Sequence, residues 1–206
     1  MKKMIVSAFA LFAIGYVNAQ EDKEVGKGFA NGDLFMSGTV GFSSTKTGDF
    51  KSDSFTVAPG IGYFVSDNIA IGASLSYSSG SSFEELTGDG AYYEVDTNAF
   101  GIGAFARYYV TPASEFSFFG EFSVGYSTAK SEIKDFSGSE YTVNGFGARL
   151  APGISYFISR NFALEATIGA LSYISTKPDI DGAKSTNNFD LNLNLNDVNL
   201  GLIYKF

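Results

Sequence analysis

From Leu34 onward, apolar residues alternate with small or polar ones at a period of two, not the 3.6 of a helix. Over about 34–44, Leu34, Met36, Val40 and Phe42 share one face, while Phe35, Ser37, Thr39, Gly41 and Ser43 share the other. The pattern returns over about 55–65, 69–78, 95–110, 116–128, 142–158, 162–174 and 190–206, which predicts eight β-strands in all. Each strand sets a face of Phe, Tyr, Leu, Ile and Val against one rich in Gly, Ser, Ala and Thr. In the last stretch the parity flips near Asn196-Asp197, and a flip of parity within one strand predicts a β-bulge.

Short turns at 66–68, 111–115 and 159–161 alternate with longer polar connections at 45–54, 79–94, 129–141 and 175–189. Tight turns at one end and long loops at the other describe an antiparallel up-and-down meander, with both termini at the short-turn end. The segment 58–70 recurs at 151–163, and each copy carries a Pro-Gly step inside a strand, at Pro59-Gly60 and Pro152-Gly153. Proline has no N–H to give a ladder and a closed sheet has no edge to place it on, so bulges are expected at both steps.

A soluble barrel would alternate as well, so the decision rests on which face can point inward. Eight strands enclose a narrow interior. The Gly/Ser/Ala/Thr faces fit it, whereas the Phe/Tyr/Leu/Ile faces are too bulky and must face out, where lipid is the solvent that tolerates them. The outward aromatics also gather near strand ends: Tyr63, Tyr108, Phe116, Tyr156, Phe162, Tyr204 and Phe206 at one level, Phe42, Phe55, Tyr77, Phe100, Tyr126 and Phe146 at the other. They form two interfacial girdles. The expected fold is therefore an all-β, eight-stranded antiparallel up-and-down transmembrane β-barrel.

Four charges deep within strands, Arg107, Glu121, Arg149 and Glu165, all fall on the small-residue face. Lipid exposure near the midplane would cost Arg about 2–4 kcal/mol, which accounts for the placement. With the intervening loop centred near residue 135, Glu121 is expected opposite Arg149, Arg107 diagonal to Glu121, and Glu165 across the lumen. Such a network either rigidifies a filled barrel or gates a small channel.

Ahead of the strands, Met1-Lys2-Lys3, an apolar run to Val17, and Ala19 have the form of a secretory signal peptide over 1–19. A polar stretch, 20–33, follows as an expected periplasmic tail before the barrel domain at 34–206. Once Lys2 and Lys3 leave with the leader, 12 basic residues face 22 acidic ones, a net charge of −10 that argues against nucleic acid as a partner. There is no cysteine, which rules out both a disulfide framework and lipidation at the cleavage site. Ca²⁺ sites at Asp49/Asp53 or Asp179/Asp181 would lack the spacing of a dedicated loop, so no metal and no other cofactor is expected.

Taken together, these residues resemble the small outer-membrane barrels typified by the transmembrane domain of outer-membrane protein A and by outer-membrane protein X. The likeness spans the mature chain and is most specific in the last strand. There Val198, Leu200, Leu202, Tyr204 and Phe206 look like the signal read by the barrel-assembly machinery. The resemblance implies residence in the bacterial outer membrane, with lipid and that machinery as partners. The chain ends at Phe206, so a peptidoglycan-binding domain like that of outer-membrane protein A is not expected. Outer-membrane enzymes resembling this fold use a catalytic histidine and this chain has none, although the carboxylates Glu84, Glu85, Asp89 and Glu94 share one loop. The expected role is non-enzymatic, structural or in surface interaction, with a ligand possible at the long loops. A narrow non-specific porin is the alternative.

Overall fold

The computed structural model describes residues 26–48, 50–86, 91–134, 138–168, 170–192 and 198–206; the expected leader and the step at Asn196-Asp197 lie outside them. Ten strand segments follow in order: β1 (Leu34–Thr47), β2 (Phe50–Phe64), β3 (Ile69–Leu86), β4 (Ala91–Tyr109), β5 (Phe116–Ile133), β6 (Tyr141–Phe157), β7 (Phe162–Ile168), β8 (Ala170–Pro178), β9 (Thr186–Asn192) and β10 (Val198–Lys205). Segments β7 and β8 both pair with β6 and succeed each other along one course of the wall, and β9 and β10 do the same beside them. The ten segments thus make eight staves. All neighbours are antiparallel, and β1 closes on β10 through Phe35↔Lys205 to Gly38↔Leu202, so the sheet is a closed eight-stranded barrel.

The faces divide as their chemistry requires. Ile61, Ile71, Ile102, Phe122, Leu150 and Leu164 point outward and are each about half exposed, which suits a lipid-facing wall. Inside, the half of the barrel nearest the short turns is filled by Phe35, Phe64, Phe105, Tyr109, Phe119, Phe157 and Ile203, all buried. Glycines on neighbouring strands make room for this filling. A β-carbon at Gly62 would overlap the Phe35 ring, one at Gly153 the Phe119 ring, and one at Gly72 both the Phe105 ring and the Ile61 carbonyl. Toward the opposite end several inward residues are small and partly open to solvent, with Thr56 and Ser127 exposed and Ser74, Ser76, Ser78 and Ser123 half-buried, while Val95 and Ser131 further out are buried.

Pro59 departs from expectation, because its surroundings hold no bulge. The β1–β2 ladder runs in unbroken register through Gly38↔Pro59, and β2–β3 keeps one register from Val57↔Tyr77 to Gly60↔Ser74. Bridges are interrupted only on the β3 side, where the imide has no N–H to donate. At Pro152 an offset does occur, in the neighbouring stave. Leu150↔Leu171 and Gly153↔Thr167 leave two residues of β6 opposite three of the β7–β8 course.

Segments expected as loops are also largely strand. Lipid requires about 9–11 residues per strand, yet β3 has 18 and β4 has 19, and their ladder continues to Leu86↔Ala91. Beyond the membrane both faces meet water, so the alternation fades while backbone pairing continues.

The glycine–aromatic packing yields a prediction. Gly72→Ala forces Phe105 and the β2 backbone apart and should lower unfolding stability by about 1–3 kcal/mol. At outward-facing Gly120 an added β-carbon meets nothing within 4 Å, so Gly120→Ala should stay within about 0.5 kcal/mol of the parent protein. Urea titration of the barrel in lipid vesicles compares the two.

Candidate functional site: the closed floor of the barrel

Arg107 occupies the centre of the filled half. Strand register sets it directly opposite Glu121, and its Nε donates to Glu121 Oε2 at 2.7 Å. Its Nη1 spans the lumen to Glu165 Oε2 at 2.8 Å and also donates to the Tyr109 hydroxyl at 3.3 Å. Glu165 has space to turn inward because its partner on β10 is Gly201, where a β-carbon would stand 2.8 Å from Glu165 Oε1. Phe105 and Phe119 flank the guanidinium with ring centres 4.9 Å from Cζ, and Phe35 lies at 5.9 Å. Two carboxylates and the π-faces of three rings thus surround one buried cation, which offsets much of its desolvation.

A second layer lies closer to the short turns. Phe29, from the segment before β1, is buried at the centre of a ring cluster, 4.6 Å from Phe64, 4.8 Å from Phe157, 5.3 Å from Tyr109 and 5.4 Å from Phe35. The segment is anchored on several sides. The Phe29 N–H donates to the Pro112 carbonyl at 2.7 Å, and buried Lys205 donates to the Gly28 carbonyl while lying 3.6 Å from the Asp33 carboxylate. Gly28 takes a φ of 143°, and a β-carbon there would overlap the backbone of Ala113, so only glycine passes this point. Outside the mouth Lys27 donates to Glu115 at 3.0 Å and holds that carboxyl below its ordinary range.

Arg149 does not stand opposite Glu121. The β5–β6 register pairs Glu121 with Ala151 and Arg149 with Ser123, two residues nearer the loops, with Ser172 on the other side. The expectation placed the hairpin's centre one residue too early, and along a ladder that error doubles. Of the four expected interior charges, Arg107, Glu121 and Glu165 meet, while Arg149 lies at the level where the lumen opens to solvent.

Of the loop carboxylates, Asp49, Asp89 and the side chains of Glu84 and Glu85 lie outside the described residues. Glu94 is ion-paired with Lys134 at 2.7 Å and Asp53 with Lys51 at 2.8 Å. Asp179 and Asp181 line a surface cavity of about 330 Å³ with Asn144 and Lys177. Among the described residues, no three His, Cys, Asp or Glu side chains converge as metal ligands.

At the C-terminus, Val198, Leu200, Leu202 and Tyr204 point outward. Tyr204 packs edge-on against Phe162 and Phe206, both at 5.0 Å, and the Phe206 N–H donates to the Leu34 carbonyl at 3.0 Å. Sequence reasoning missed Phe29 and Lys205. Their signals were slight: a lone aromatic beside glycine in a polar tail, and an inward-parity lysine one residue from the end.

Closure, a lipid-compatible wall and a filled lumen define an integral β-barrel of the bacterial outer membrane. A family model described as outer membrane protein beta-barrel domain matches residues 7–206, and the chain belongs to that family. Among solved structures, the outer membrane protein OprG from Pseudomonas aeruginosa aligns with a TM-score of 0.55 at 16% identity, covering 88% of this chain and 99% of that one. A major outer membrane protein from Thermus thermophilus aligns with a TM-score of 0.50 at 11% identity, covering 84% and 98%. At such identities the likeness concerns the fold alone. No curated protein sequence matches the chain.

The floor generates a second prediction. Arg107→Met strands two buried carboxylates and should cost about 3–5 kcal/mol. The triple variant Arg107→Met/Glu121→Gln/Glu165→Gln, which removes every charge together, should recover most of that loss in the same urea titration.

Proposed function

We propose that this protein is a closed, non-enzymatic barrel with a structural and surface-interaction role, not a channel. The observation that carries this reading is the pair of sealing layers in series, the Arg107–Glu121–Glu165 cluster and the aromatic cork around Phe29. A porin needs a continuous aqueous path, and ion-paired charges at this depth fill space and brace opposite walls. The chain contains neither histidine nor cysteine, which removes the usual nucleophile–base pairs of hydrolases. In planar bilayers the purified barrel should show no discrete conductance. Reproducible channel steps that change in Arg107→Met would favour the porin reading instead.

The interaction role rests on the extended hairpins. Their strands stay paired well beyond the girdle, and Phe50 meets Phe83 at 5.0 Å and Tyr92 at 4.5 Å, joining the β1–β2 and β3–β4 hairpins in one aromatic cluster. Exposed aromatic surface on a paired scaffold is suited to a protein or glycan ligand.

The C-terminal strand serves as the assembly signal in this reading, through Val198, Leu200, Leu202, Tyr204 and Phe206. Deleting Phe206 also removes the hydrogen bond to Leu34 beside the closing seam. In cells that variant should accumulate unfolded, scored by loss of heat-modifiable gel mobility.

A further inference from the structure

The ring closes over a short ladder and then parts. β1 pairs with β10 from Phe35↔Lys205 to Gly38↔Leu202, and from Thr39 to Thr47 it pairs with β2 alone among the described residues. Across the seam, Val198 to Gly201 of β10 pair among those residues with β7 alone, and β9 has β8 as its one partner. The side chains record the same parting. Val40 (73%), Phe42 (75%), Phe189 (73%) and Leu200 (71%) point outward along the two edges and are largely exposed, whereas outward apolar residues on the other staves do not exceed 58%. Phe55 and Tyr173, one strand back from the seam beside Phe42 and Phe189, are 42% and 40% exposed.

Thr39 to Phe42 lie between the two aromatic girdles, at hydrocarbon depth. Lipid covers apolar side chains there but offers nothing to a backbone N–H or C=O, so a bare strand edge at that depth requires another strand. We propose that a second copy of this chain supplies it, in a twofold dimer whose axis runs along the membrane normal. A twofold axis at the seam sets β1 of each copy antiparallel beside the last stave of the other. These strands already pair in that way within one chain, on the short-turn side of Gly38. One contact then fills the bare edges of both copies. If the seam register continues, Thr39 falls opposite Gly201 of the partner subunit and Gly41 opposite Asn199 of the partner subunit. Val40, Phe42 and Leu200 gain apolar neighbours in the same step.

The chain has no cysteine, so engineered thiols report on the seam without interference. Gly41→Cys and Asn199→Cys are made as separate variants of the full chain, co-expressed, and oxidised in isolated outer membranes. Cross-strand partners stand about 4.5–5.5 Å apart at Cα, which a disulfide spans, and a β-carbon at Gly41 meets only Thr56, at 3.8 Å. Together the two variants should give at least about fivefold more cross-linked dimer than either alone, because a twofold contact joins Gly41 of one copy to Asn199 of the other. The unmodified barrel in mild detergent should have the mass of two chains. Heat-modifiable mobility confirms that each variant is folded. A double variant, Gly41→Cys/Asn199→Cys, that locks as a cross-linked monomer while the mixed single variants stay separate would overturn the proposal, by showing that the seam zips within one chain. Equal dimer from either variant alone, no cross-link in any combination, or a cross-link to a different protein would overturn it as well.

Discussion

Eight strands close into so tight a ring that an inward side chain must share its space with one from the opposite wall, and the rest of this structure follows from that constraint. Where Phe35, Phe105 and Phe119 enter, the neighbouring strands present Gly62, Gly72 and Gly153. Where Glu165 enters, β10 presents Gly201. Inward glycine is therefore space reserved for a particular side chain from the next stave. Arg107 is placed by the same rule, since only an extended side chain can brace β4, β5 and β7 at once. A buried ion cluster of this kind contributes little net stability compared with an apolar filling of equal volume. It does give the closed ring a definite register, because Arg107 meets Glu121 only when β4 and β5 are aligned.

The termini share this dependence. β1 and β10 are held by a short ladder among the described residues, Phe35↔Lys205 to Gly38↔Leu202. Beside it, Lys205 is bound to the segment that carries Phe29, and the Phe206 N–H to Leu34. Closure of the sheet and corking of its mouth thus draw on the same few residues, and both require the first and last parts of the chain to have come together.

Strand number and facing were legible in the sequence because each is imposed by a strong solvent difference between lipid and lumen. Outward Ile71 and Leu150 and inward Arg107 could hardly be exchanged. Where that difference weakens, so did the reading. Beyond the girdle both faces of β3 and β4 meet water, alternation no longer marks the strand, and their paired outer halves carry the residue types of loops. Cross-strand register depends on the geometry of one turn, which residue types describe poorly, hence the two-residue misplacement of Arg149. Phe29 was illegible for another reason: a plug is recognised by the cavity it fills, and that cavity does not exist until the barrel closes.

The barrel is solid toward the short turns and open to solvent toward the hairpins, so its two halves stand under different evolutionary rules. A change at Phe64 or Gly153 must be answered by a change on another stave, and such joint changes are rare. A change at exposed Thr56, where the inward residues are small, displaces less. The outer half can therefore vary in what it displays to the environment from one lineage to the next, while the inner half keeps the same barrel beneath it.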